Sequence, residues 1–150
     1  MKTYKLFLMK EDEEVQVDLR LDFDGLAAMK KKFDGESPID SIYSAVPDAE
    51  KAAFIFTQAL TFNGNKNTIK TGRELYNLLV DNDKCGIEGF WEVLSEIGKA
   101  SGILSERMIE KLNKNVNKYV NDFLADDDDD DNDDEDEDED IKNQKSQPNG

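Results

Sequence analysis

Fourteen of the fifteen residues from Asp126 to Asp140 are Asp or Glu, with Asn132 the single interruption. A run of that charge density cannot enter a core, because its apolar surface is too small to offset the entropy of ordering it. It divides the 150-residue chain in two. Residues 1–125 hold 21 of the 35 acids and 17 of the 19 bases, a net charge of −4, whereas 126–150 set two lysines against fourteen acids, a net −12. The sequence therefore predicts one folded domain over 1–125 and a disordered polyacidic tail over 126–150. The first is of ordinary single-domain size.

The composition of the body narrows its chemistry. The chain has no histidine, the side chain most used for proton transfer near neutral pH and the commonest metal ligand, so an enzyme is not expected. Cys85 is the single cysteine, which rules out an intramolecular disulfide and thiolate clusters. No cofactor, metal or catalytic residue is assigned. No stretch approaches the roughly 20 apolar residues of a membrane span, and the apolar run Leu6 to Met9 is too short for a signal-peptide core, so a cytoplasmic protein with no membrane partner is expected.

Val15, Val17, Leu19 and Leu21 alternate with Gln16, Asp18 and Arg20, which predicts a half-buried strand. Thr3 to Lys10 reads as its partner, with Tyr4, Leu6 and Leu8 on one face and Glu11 to Glu14 as the solvated connection. Two strands are marginal alone, so helices should cover the apolar face. Helix signals follow in series. Asp22 or Asp24 can cap a helix to about Phe33, ended by Asp34-Gly35, and Ser37-Pro38 opens a short helix through Ile39, Ile42 and Tyr43. Pro47-Asp48 opens a helix with Ala49, Ala52, Ala53, Phe56 and Leu60 on its stripe, widened by Phe54 and Ile55; Asn63 to Asn67 is a turn-rich loop. Thr71 with Glu74 forms a capping box ahead of a helix from Gly72 to Val80. Phe90, Trp91, Leu94 and Ile97 mark another helix, which Gly102 can close, and Ser105 starts the last. The fold class is α+β and mostly α: an N-terminal β-hairpin, then five or six helices.

In that last helix Ile109, Leu112, Val116, Tyr119 and Phe123 step by 3, 4, 3 and 4, a narrow seam of coiled-coil type. These five residues are the candidate partner-binding set. The seam can pack against the body or pair with another chain, self-association included, and its two heptads are fewer than a convincing coiled coil. Phe90 and Trp91 present the same choice between core and partner groove. Lys30-Lys31-Lys32 suits a helix C-terminus and is too small for a nucleic-acid site, so no direct nucleic-acid binding is expected. The acidic run lacks the spaced ligands and turn glycine of a calcium loop; shielding by like charge, or capture of a basic partner, remain its two readings.

The order of these parts carries a resemblance. The segment Asp18-Leu19-Arg20-Leu21-Asp22-Phe23, then Gly25-Leu26-Ala27-Ala28-Met29 with Phe33, Ser37-Pro38-Ile39, Ala53 to Leu60, and Gly89-Phe90 to Gly102, resembles the tail assembly chaperones of long-tailed bacteriophages, in the versions from phages and prophages of Gram-positive hosts. It covers about residues 1–124. The resemblance implies a non-enzymatic helper in the host bacterial cytoplasm that binds the tape measure protein, keeps it soluble while the tail tube assembles, and is absent from the mature virion. It also implies tail tube protein as a further partner, recruited in many members by a frameshifted longer form. The acidic run has no counterpart in that pattern, and no site residue carries over. The competing expectation is an acidic nucleic-acid mimic or inhibitor on a basic partner surface, against which the weak charge of the body counts.

Overall fold

The computed structural model describes residues 1–132, with side chains through Ala125; the remainder of the acidic run, and the expectation of disorder placed on it, lie outside the described residues. Two strands, β1 (Tyr4–Lys10) and β2 (Glu13–Leu19), are followed by α1 (Phe23–Lys32), α2 (Pro38–Ala45), α3 (Ala49–Leu60), α4 (Gly72–Asp81), α5 (Gly86–Ala100) and α6 (Glu106–Asn132). The chain thus has an N-terminal hairpin and, among the described residues, six helices. The described residues fall into two units, 1–113 and 114–132, so packing divides inside α6 while the charge divides at Asp126. Helix α6 also continues into the acidic run, where a coil was expected from Asp126. Extending a helix already formed avoids the cost of nucleating one.

The hairpin follows from its alternation. Leu6 pairs with Val17, Leu8 with Val15 and Tyr4 with Leu19, which gathers the apolar positions of both strands onto one face. Leu6, Leu8, Val17 and Leu19 are buried there, against α3, α4 and α5. The connection is shorter than the acidic run between the strands: Glu13 and Glu14 join β2, and Glu11 and Asp12 alone make the turn, at φ 50° and 69°. Two positive φ angles twist the strands correctly for a two-residue hairpin, and they strain residues bearing a Cβ. β2 ends at Leu19, so Leu21 reaches the core from the strand-to-helix connection instead.

Each of the first four helices starts on the expected side chain. Asp22, Ser37, Asp48 and Thr71 accept a hydrogen bond from the backbone N–H three residues on, satisfying an otherwise orphaned donor. The capping box at Thr71 is half formed, because the Glu74 carboxylate bonds Lys10 Nζ of β1 at 2.6 Å. Helix α3 lies at the centre, packed by α1, α2, α4 and β2. Its Ala52, Ile55, Phe56, Ala59 and Leu60 are buried, while Ala49 stays exposed at the first turn. Gly72 lets α4 meet α3: a Cβ there would stand 1.7 Å from the Ala53 carbonyl oxygen, and its N–H donates to Thr57 Oγ1 at 2.7 Å. Gly102 ends α5 at φ 79°, with the Ile103 N–H returning to the Gly98 carbonyl at 2.9 Å.

Candidate interaction surfaces

The open edges of the hairpin would be sticky if left bare, since each offers a row of unpaired N–H and C=O groups. Two asparagines cover them in the same manner. On the β1 edge, Asn82 Oδ1 accepts the Met9 N–H at 2.8 Å and Nδ2 donates to the Met9 carbonyl at 3.0 Å. On the β2 edge, Asn67 Oδ1 accepts the Asp18 N–H at 2.8 Å and Nδ2 donates to the Asp18 carbonyl at 2.8 Å. A primary amide presents one donor and one acceptor at the spacing of a peptide group, so each side chain stands in for one residue of a third strand. Asn67 is buried, and its second amide hydrogen reaches the Leu60 carbonyl at the end of α3 at 2.8 Å. The turn-rich loop of the sequence is therefore a fastener, which also seats Phe62 and Ile69 in the core.

Further polar links join separate parts of this body. Arg20, from the polar face of the strand pattern, donates through Nη1 to the Lys2 carbonyl at 2.8 Å and the Ala100 carbonyl at 3.2 Å. Asp22 bonds the Gly25 N–H at 2.9 Å and, through its other oxygen, the Asn63 N–H at 3.2 Å; these bonds, the first above all, hold its carboxyl below the usual range. Tyr4 is half-buried, and burial, with Glu92 and Glu96 adding repulsion, pushes its phenol up to about 12. Lys51 bonds Glu36 at 2.6 Å and Ser44 at 2.7 Å and lies over the Phe33 ring at 4.8 Å. Asp22 and Lys51 have their bonds made within the fold, as structural links do, whereas Arg20 Nε is buried without a hydrogen-bond partner among the described residues. Among the described residues no three His, Cys, Asp or Glu side chains could share a metal ion, and no helix is long and apolar enough to cross a membrane.

The aromatic residues of α5 resolve toward the core. Phe90 and Trp91 are buried; Phe90 stacks on Tyr76 at 4.8 Å, and Trp91 meets Tyr43 edge-on at 5.8 Å. The Trp91 indole N–H donates to Asn113 Oδ1 on α6. Lys99 and Glu106 form an ion pair at the start of that helix, and Ser105 Oγ accepts the Met108 N–H at 3.2 Å as its cap.

The five seam residues do not share one environment. Ile109 and Leu112, in the first unit, are half-buried, and Val116 is buried. Tyr119 and Phe123 are 56% and 62% exposed, and Leu124 beside them, missed by the strict 3-4 spacing, is 52% exposed. Helical geometry sets Tyr119 and Phe123 on one face with Val120 and Leu124 along its margin. The periodicity that located the seam could not tell its covered half from its bare half. Elsewhere Phe7 and Met9 are exposed on the outer face of β1 and Phe23 on the first turn of α1, but each is isolated or rimmed by charge.

No family model, no curated protein and no solved structure matches this chain.

Proposed function

We propose that the protein is a tail assembly chaperone that covers an apolar helical segment of a phage tape measure protein and keeps it soluble until tail tube subunits polymerise around it. One observation carries this reading: the bare apolar row Tyr119, Phe123 and Leu124 on the distal part of α6. A soluble helix with no partner for its apolar face is a recognised binding element, because a second amphipathic helix can bury that face by laying its own apolar row alongside. The first unit supports the reading by having its own core, so that engaging the distal helix does not require it to unfold. The polyacidic run from Asp126 adds like-charge repulsion between copies gathered on one long partner. Tail tube protein is the further partner the reading implies.

Co-expression tests the assignment. Wild-type protein should carry the tape measure protein through purification at moderate salt. Substituting Tyr119→Asp and Phe123→Asp, both exposed, should abolish the association while leaving the melting transition in place. Val116 is buried and is unsuitable for the same purpose. Absence of association with wild-type protein would remove the chaperone reading and leave an acidic inhibitor of a basic surface in first place.

A further inference from the structure

The seam on α6 changes character along its length while its spacing stays the same. After Ile109, Leu112, Val116, Tyr119 and Phe123, the next steps of three and four residues reach Asp126 and Asp130, still within the helix. One line of the helix therefore passes from half-buried and buried apolar residues to the bare pair Tyr119 and Phe123, and then to two acidic positions. Asp126 follows Phe123 by about 4.5 Å along the axis, at 1.5 Å per residue. Tyr119 and Phe123 also line a shallow groove with Asn115, Lys118 and Asp122.

We propose that the helix received by this face carries a basic pair on its own apolar line, so that it meets Tyr119 and Phe123 with apolar side chains and Asp126 and Asp130 with lysine or arginine. A helix that covers the bare pair and continues for two turns covers positions 126 and 130 as well. An apolar residue there would take carboxylates out of water with nothing in return, and that cost opposes the gain from the apolar contact beside it. A basic pair supplies charge-assisted hydrogen bonds instead. The seam itself holds no Lys or Arg, so a second copy does not bring the cation to this line. Nucleic acid and an anionic membrane are disfavoured too, because over 114–132 seven acids outnumber two lysines. This selectivity rests on the reading of the distal part of α6 as the partner-binding face, and adds to it the charge pattern of the segment received.

Two synthetic peptides of identical composition, each of about 20 residues so that a helix can form, provide the test. One places two lysines on its apolar line, a turn beyond an apolar pair; the other carries them on the opposite face. Titrated into the full chain at about 0.15 M salt, where screening acts beyond about 8 Å, the first should bind about tenfold or more tightly than the second. Asp126→Asn with Asp130→Asn should abolish that difference. Tyr119→Ser with Phe123→Ser should weaken the first peptide by about tenfold or more, since aromatic anchors are lost, and neither double variant should move the melting transition. Equal affinity of the two peptides for the wild-type chain means attraction by net charge alone and overturns the proposal; the apolar face survives as the binding site if the serine variant still loses affinity. A serine variant that binds the first peptide as well as the wild type does places the cation contact away from the apolar row and overturns the proposal. A wild-type chain that binds neither peptide removes the proposal and the apolar face together.

Discussion

Asn67 bears more of the fold than its place in a polar loop indicates. Its side chain makes three hydrogen bonds, to both backbone groups of Asp18 and to the Leu60 carbonyl, inside a site shielded from water. Asn67→Ala leaves those partners unpaired and should cost about 2–3 kcal/mol in denaturant unfolding. Asn67→Asp should cost more, because a carboxylate has no hydrogen to give the two carbonyls and brings a buried charge against them. Tyr4 gives a pH signature. Its folded-state value near 12 lies above the ordinary 10, so the folded state prefers the neutral phenol; this contribution is complete below pH 10 and is lost as pH rises from 10 toward 12. Melting temperature should fall across that window, and Tyr4→Phe should flatten the fall.

Among the elements, the hairpin turn and the approach of α4 to α3 make opposite predictions. Glu11 and Asp12 occupy positive φ with a Cβ each, in a turn that favours Asn-Gly. The pair Glu11→Asn and Asp12→Gly should add about 1 kcal/mol and raise the melting temperature by several degrees. Gly72→Ala should do the reverse, by about 1–3 kcal/mol in the same assay, because its methyl would overlap backbone of α3 that cannot yield without moving the helix. Element starts were legible in the sequence because caps are local: Asp22, Ser37, Asp48, Thr71 and Ser105 each act within three residues. The fasteners were not. Asn67 to Asp18, Asn82 to Met9 and Arg20 to Ala100 join residues 49, 73 and 80 apart, and nothing in the local pattern separates such side chains from solvated ones. Glu74 shows both outcomes at once, correctly placed at the start of α4 yet committed to Lys10 rather than to its own helix.

For the whole molecule, a self-contained first unit is followed by a helix that is apolar and bare, then acidic. This order suits a protein that holds an aggregation-prone helix and keeps the complex dispersed, the function proposed above. The most direct measurement is titration calorimetry of an amphipathic helical fragment of the tape measure protein into the wild-type chain and into the Tyr119→Asp, Phe123→Asp double variant. The account predicts binding to the wild type with a negative heat-capacity change, the mark of apolar burial, and none to a variant whose melting transition is unchanged. Equal binding to the two chains would place the partner elsewhere and contradict the role assigned to the distal part of α6.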